Sequence, residues 1–278
     1  MINIITQEEL RIKYRLSELE AIFQDIIKTI ETVKDKDGKD SKQSTYLLYT
    51  LGKAITTARE TLMLVFDGYP DGALSISRNL FEQFIITAFI FSCNNDIDAI
   101  LSRYDEDYEV QRLKNLKFWD EHISKDEKAY RDHKKQLELI ANKYDKKPNE
   151  LRDYWWCDCK SFYEICERVI LQNKDLEDLI RKMQMLYKRA CISIHSSCIG
   201  NVLRIGGDFE GVDFGPWSTG HEVSLYLSVM SLVYIVCLTY DFFDVPGEDF
   251  SDIKHRLNEL GSFYNDIMDE EARNRAKG

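Results

Sequence analysis

The stretch from Ala73 to Phe91 reads ALSISRNLFEQFIITAFIF, and it decides the fold class of this chain. Apolar side chains occupy nearly every side of the helix that this stretch would form. A helix that is apolar all round has to be covered by other elements on most of its surface. We therefore predict that this helix lies at the centre of a multi-helix bundle.

Segments on both sides of the central helix also show apolar residues at helical spacing. Three helix starts are indicated by a Ser or Thr followed three residues later by Glu, namely Thr6, Ser124 and Ser161. The predicted helices cover about 6–34, 44–66, 73–91, 96–121, 125–144, a segment after 161, 175–199, 223–240 and the residues from 249. No segment alternates with period two for long enough to build a sheet. The sequence predicts an all-α fold, a multi-helix bundle of about nine or ten helices.

We expect a single helical domain over residues 1–278, with its core at 44–245. Residues 1–43 would form an N-terminal helix and a charged linker, and residues 246–278 a C-terminal amphipathic helix. Six of the 13 glycines fall between Gly200 and Gly220, which predicts a glycine-rich loop late in the chain. A lid and a plain connecting loop both fit this segment.

The charge of the chain limits its partners. With 37 basic against 48 acidic side chains, the formal net charge is −11, and the molecule repels phosphate backbones at long range. A general DNA coat is therefore excluded. A local basic patch can still hold a small piece of nucleic acid.

Cysteine usage and the N-terminus indicate a cytoplasmic protein. Seven cysteines occur without a basic n-region or a small-residue cleavage site, so we expect reduced thiols. The uncharged stretch from Val223 to Tyr240 is at the short end of what can span a bilayer. Its serines, and the lack of Lys or Arg close beside it, favour a buried helix, and we expect no membrane association.

Two groups of polar residues fall where the helical spacing asks for apolar ones. Arg78 and Glu82 are four positions apart on the central helix. They would form either an ion pair that fixes helix packing or part of a functional site. The helix after Asp175 carries Tyr187, Arg189, Cys191, Ser193, His195 and Cys198. His195 is the sharpest candidate, because histidine can move a proton near neutral pH, although a satisfied core or surface histidine fits equally well.

Cys191, His195 and Cys198 share one helix face, and Cys157 with Cys159 would complete the ligand set of a zinc site. Cys-x-Cys is not a diagnostic spacing for zinc, and buried reduced cysteines behave as small hydrophobes. We therefore expect neither a metal nor a cofactor.

Several short motifs resemble a bacterial all-helical family catalogued as domain of unknown function 5677. The segment from Gly68 to Ala73, followed by Arg78-Asn79-Leu80-Phe81-Glu82, is similar to its R-S-L-x-E helix. Tyr104, Trp155 and the run from Tyr187 to His195-Ser196 resemble its later motifs, with Cys191 at or near its usual serine. The resemblance implies an all-helical fold and the site candidates Arg78, Glu82, Tyr187 and His195.

Arg189-x5-His195 is also similar to the R-x4-6-H signature of the HEPN superfamily of small helical ribonucleases and toxins. That resemblance implies metal-independent RNA cleavage, in which His moves a proton at the ribose 2′-hydroxyl and Arg steadies the phosphorane. Residues six apart on one helix are separated by about 9 Å along the axis and about 240° in angle, so a two-fold dimer would be needed to bring such groups together. Lys174, Arg181, Lys182 and Lys188 would supply a local positive field.

Two hypotheses follow. In the first, the chain is a HEPN-like, metal-independent endoribonuclease or toxin-type effector of bacterial anti-phage defence, acting as a homodimer on RNA, with Arg189 and His195 at the site and Arg78, Glu82 and Tyr187 in support. In the second, the chain is a non-catalytic, partner-binding or regulatory helical module. There, Arg78, Glu82 and His195 form a structural network, and the partner is another protein of a defence system.

Overall fold

The computed structural model describes residues 6–36, 41–92, 96–194, 221–245 and 247–275, and all regular structure among them is helical. The ten α-helices of these residues are α1 (Gln7–Lys13), α2 (Leu16–Lys36), α3 (Lys42–Phe66), α4 (Pro70–Ser92), α5 (Ile97–Trp119), α6 (Glu127–Lys143), α7 (Phe162–Gln172), α8 (Glu177–Ile194), α9 (Glu222–Phe243) and α10 (Gly247–Arg275). A π-helical turn (Asp120–Ser124) and three 3-10 turns (Pro148–Glu150, Trp155–Cys157 and Lys174–Leu176) complete them. The predicted all-α bundle is confirmed. The glycine-rich segment 200–220 lies outside the described residues.

The chain divides into two compact units. The first contains residues 1–88 and 174–278, and the second contains residues 89–173. Compactness alone does not test whether two units fold independently, so the single helical domain over 1–278, with its core at 44–245, stays a prediction.

Helix α9 forms the interior of the first unit, where it packs against α3 and α10. Within the described residues it is the one helix long and apolar enough to cross a membrane, with a mean hydropathy of 1.9, and 78% of its apolar window is buried inside the protein. The predicted core helix at 223–240 corresponds to α9. Its polar side chains, Ser224, Ser228 and Ser231, are buried with it.

The first predicted helix is interrupted. Thr6 and Glu9 form the expected capping box, but α1 ends at Lys13, and Arg15 has a left-handed backbone with φ 52° before α2 begins. At this break the hydroxyl of Tyr264 donates to the carbonyl of Tyr14 at 2.8 Å. Tyr14 and Tyr264 are fully buried, so a long-range contact with α10 satisfies a buried backbone group at the break.

The second unit is built on the antiparallel pair α5 and α6, which the π-helical turn joins. The predicted cap Ser124 is wrong. Asp126 caps α6 by accepting from the backbone N–H groups of Lys128 and Ala129, both at 3.0 Å. The Ser124 hydroxyl instead donates to Asp120 at 3.0 Å, and Asp120 also pairs with His133 at 2.8 Å. A local capping pattern has been displaced by a contact between two helices.

The aromatic segment before α7 packs on α5 in the second unit. The ring of Trp156 lies edge-on to Tyr104 with 4.8 Å between centroids. Ser161 caps α7, as predicted, by accepting from the Glu164 backbone N–H at 3.3 Å.

Two glycines within helices of the first unit predict opposite effects of the same substitution. A methyl group at Gly52, an exposed position on α3, would meet nothing within 4 Å. Gly52→Ala is therefore expected to stabilise the protein by about 0.5–1 kcal/mol, because glycine loses more conformational freedom in a helix. At Gly261 on α10, a methyl group would overlap the Met230 sulfur of α9, so Gly261→Ala is expected to destabilise by about 1–3 kcal/mol. Urea unfolding of both variants measures the two signs, and a stabilised Gly261→Ala protein would contradict the close packing of α9 and α10.

Candidate functional site

Side chains from α4 and α8 meet in one polar cluster of the first unit. The Tyr187 hydroxyl donates to Glu82 Oε1 at 2.7 Å, and Arg78 Nε lies 3.5 Å from the same oxygen. Arg78 Nη1 donates to the Cys191 sulfur at 3.8 Å. We call these four residues, Arg78, Glu82, Tyr187 and Cys191, the α4–α8 network.

Helical spacing explains how two helices present four groups to each other. Arg78 and Glu82 are four apart on α4, and Tyr187 and Cys191 are four apart on α8, so each pair lies on one face. The Tyr187 ring packs on the buried ring of Phe81 with 5.7 Å between centroids, and the Arg78 guanidinium lies 5.8 Å from the Tyr187 ring centre. Aromatic and cation–π contacts thus support the polar ones.

The network is half-buried, with 25% of the Arg78 side chain and 29% of the Glu82 side chain exposed. Burial opposes the charged form of Arg78, but the neighbouring Glu82, Cys191 and Tyr187 outweigh it and raise the pKa of the guanidinium. Burial, together with the hydrogen bond to Glu82, raises the pKa of Tyr187 well above its usual range. Near neutral pH the network therefore contains the Arg78 guanidinium cation and the neutral phenol of Tyr187, which donates to Glu82.

Arg189 does not join the network. It is two positions beyond Tyr187, which places it about 200° around the helix, and its side chain is exposed next to the exposed Lys188. The structure therefore brings together three of the predicted site residues, Arg78, Glu82 and Tyr187, and separates Arg189 from them. His195, the fifth, lies outside the described residues.

Fewer of the basic side chains along α8 are free of carboxylate partners than the sequence predicts. Lys174 and Arg181 each lie 3.5 Å from a carboxylate oxygen of Glu177. Lys182 donates to Asn265 and lies over the Tyr226 ring. Within the described part of the chain, Lys188 and Arg189 have no carboxylate within ion-pair distance, so the unneutralised charge of this helix is concentrated near its C-terminal end.

Cys191 is the member of the α4–α8 network that the sequence did not predict as a site residue. Its spacing from Tyr187 places both residues on one face of α8. The contact between its thiol and Arg78 could not be predicted, because the sequence does not show that α4 packs against α8. Among the described residues, no group of three or more His, Cys, Asp or Glu side chains is arranged to hold a metal ion. Cys198, one of the ligands considered for zinc, lies outside those residues.

Fold and site together define an all-α protein with a half-buried Arg–Glu–Tyr network between two of its helices. A family model described as a family of unknown function (DUF5677) matches residues 44–211. The chain belongs to this family. No curated protein and no solved structure matches it.

The hydrogen bond between Tyr187 and Glu82 is expected to stabilise the fold. Tyr187→Phe removes the donor and should lower the free energy of unfolding by about 1–2 kcal/mol, because hydrogen bonds to charged groups contribute more than neutral ones. Tyr49→Phe, at a position of α3 whose side chain is 69% exposed, is the matched control and should have no effect beyond about 0.5 kcal/mol.

A double-mutant cycle with Glu82→Gln then isolates the contact between Tyr187 and Glu82. We expect the two changes to be non-additive by at least about 0.5 kcal/mol in urea unfolding. Strict additivity would mean that the hydroxyl and the carboxylate contribute independently, and the network would not exist in solution.

Proposed function

We propose that this chain is a metal-independent endoribonuclease of the HEPN type, acting as a homodimeric effector in the cytoplasm of bacteria under phage attack. The observation that carries the proposal is the division of α8 into two faces. One face is fixed against α4 by Tyr187 and Cys191, and the other presents Lys188 and Arg189 to solvent. A charged pair held on a fixed helix suits an RNA phosphate.

In this proposal the two faces of α8 have different tasks. Arg78, Glu82 and Tyr187 are positioning residues, since they hold α8 in place and do not touch the substrate. Arg189 would bind the phosphate, and Lys188 would add local positive charge to a molecule whose net charge is −11. His195, six positions beyond Arg189, would transfer the proton.

The reaction is a transesterification within RNA. His195 would take the proton of a ribose 2′-hydroxyl, whose oxygen then attacks the adjacent phosphorus. The bond from phosphorus to the 5′-oxygen breaks, and that oxygen takes a proton from water as it leaves, while the protonated His195 returns its proton to the solvent. The products would be a 2′,3′-cyclic phosphate and a 5′-hydroxyl. Arg189 would stabilise the extra negative charge of the phosphorane between these steps.

A two-fold dimer supplies the missing geometry. Arg189 and His195 of one helix would be separated by about 240° around its axis, so they would not converge on one phosphate. If the helix continues to His195, two antiparallel copies of it would place Arg189 of one protomer beside His195 of its partner, which would give two equivalent composite sites.

Incubation of purified protein with total RNA tests the proposal. We expect cleavage that persists in EDTA and yields 2′,3′-cyclic phosphate ends, and we expect its loss in His195→Ala. Intact RNA after incubation with folded wild-type protein, or full activity of His195→Ala, would overturn it.

A non-catalytic, partner-binding or regulatory module is the second candidate, and a different observation favours it. The α4–α8 network satisfies most of its own polar groups, and Arg189 lies outside it, so the network needs no substrate to account for its residues. In this case Tyr187→Phe would lower stability while RNA cleavage is absent from every variant. The partner would be another protein of the same defence system.

A further inference from the structure

The second unit contains a cavity that the proposed ribonuclease site does not use. Its volume is about 230 Å³, and it lies between α5, α7 and the turn before α7. Apolar side chains, Phe89, Ile100 and Leu171, form one part of its wall, and charged ones, Arg103, Arg168 and Asp158, form the other. Small-molecule sites combine an apolar wall with a few convergent polar groups in this way.

Charged side chains are paired around one part of the cavity wall. Asp158 is shared by two cations, Lys146 at 2.7 Å and Arg103 at 3.3 Å. Burial alone would raise the pKa of Asp158, but these two cations outweigh it and hold that pKa below its usual range. Arg168 pairs with Glu164 at 3.0 Å. Two arginines, Arg103 and Arg168, and one carboxylate, Asp158, thus lie together in the lining of the cavity.

Arg103 is the cavity residue best placed to bind an anion. One nitrogen, Nη1, contacts Asp158, while the remaining guanidinium N–H groups have no hydrogen bond to any described residue. Its side chain is largely buried in the cavity wall. A half-buried guanidinium with free donors is the group that binds a carboxylate with two parallel hydrogen bonds.

The turn that carries Asp158, the partner of Arg103, is held rigidly. Tyr154 and Asp158 have left-handed backbones with φ of 63° and 53°, which costs a residue with a side chain about 1 kcal/mol or more. Arg168 stabilises this turn by donating to the carbonyls of Cys157 and Asp158, at 3.2 and 3.0 Å. The cavity is therefore formed before a ligand arrives, which lowers the entropic cost of binding.

We infer that this cavity binds a small organic carboxylate with an apolar body, whose carboxylate contacts Arg103 and whose body packs on Phe89, Ile100 and Leu171. The apolar part of the wall suits the body of such a ligand and offers no donors to the further oxygens of a phosphate. The volume is below the roughly 300 Å³ at which pockets for drug-sized ligands begin, so the ligand is small. This inference does not rest on the proposed ribonuclease function.

Binding of benzoate and phenylacetate to the full-length protein tests the inference, by titration with ligand-observed NMR and calorimetry. We expect both carboxylates to bind, and benzyl alcohol and inorganic phosphate to bind at least tenfold more weakly. If neither carboxylate binds, or if phosphate binds equally well, the inference is wrong.

Variants locate the binding. Arg103→Met should weaken carboxylate binding at least tenfold, whereas Arg112→Met, an exposed arginine of the same helix, should not change it. Leu171, at the mouth of the cavity, is 65% exposed, so Leu171→Trp can obstruct the entrance without altering charge or core. Leu171→Trp should also abolish carboxylate binding. If Arg103→Met does not fold, the affinity of Leu171→Trp alone tests whether the carboxylate binds in this cavity. Unchanged affinity in a folded Arg103→Met or Leu171→Trp protein would place the carboxylate elsewhere and overturn the inference.

Discussion

Replacing His195 by alanine is expected to lower the rate of RNA cleavage by about 100- to 10,000-fold, since this is the range that a positioned general acid or base contributes. Arg189→Ala is expected to lower it by about 100- to 1,000-fold, as when one donor to a developing oxyanion is removed. Cleavage of a short labelled RNA measures both rates. Arg189→Ala should leave the helix content and the unfolding midpoint unchanged, because the Arg189 side chain is exposed and lies outside the α4–α8 network. The same two measurements establish that His195→Ala is folded.

His255→Ala is the matched control, because the His255 side chain is 71% exposed on α10, where it lies 3.6 Å from Glu259. Its cleavage rate should equal that of the wild type.

A mixture of His195→Ala and Arg189→Ala proteins then tests the composite site. Random pairing makes half of the dimers mixed, each with one intact site, so about a quarter of wild-type activity should return. No recovery in confirmed mixed dimers would contradict the shared site.

Replacing Phe84 by alanine is expected to give the largest loss of stability. Phe84 is fully buried on α4 and stacks on Tyr234 of α9 with 4.8 Å between ring centroids. Removing a buried phenyl ring costs about 3–5 kcal/mol, because both apolar burial and packing are lost. Since native proteins are stable by only about 5–15 kcal/mol, this is a large fraction of the whole.

Thermal unfolding followed by circular dichroism measures this loss. For a protein of this size, a loss of 3–5 kcal/mol corresponds to a fall in Tm of about 6–20 °C. Phe118→Ala removes the same ring from a position that is 60% exposed on α5, and should change Tm by less than about 2 °C. Equal shifts in the two variants would show that α4 is not a central helix.

Patterns within one helix were predictable from the sequence, and contacts between helices were not. The spacing of Arg78 and Glu82 indicated a pair, and the family motif indicated Tyr187, because each is a local regularity. The separation of Arg189 from that group also follows from helical geometry, once Tyr187 is known to face α4. That Tyr187 faces α4 is a property of tertiary packing, and it has no local signal.

The incorrect helix boundaries have the same origin. Arg15 interrupts a segment with good helical spacing, and at this break Tyr264, 250 positions after Tyr14, donates to the Tyr14 carbonyl. Ser124 and Asp126 are both good capping residues, and the contact between Asp120 and His133 determines which of them caps α6. The cavity was unpredictable for a related reason, since its wall combines residues from 89 to 172 with no shared motif.

The first unit is assembled from the two ends of the chain, with residues 89–173 inserted between them. During synthesis, α1 to α4 leave the ribosome long before α9 and α10, against which α3 and α2 pack. Their apolar surfaces must remain uncovered while roughly 130 to 180 further residues are translated, a process of about 7–40 s at about 5–20 residues per second. The inserted unit can fold during this interval, whereas the first has to wait for the last helix. Newly made chains should therefore depend on chaperones, and a premature stop codon before α10 should yield an aggregating product.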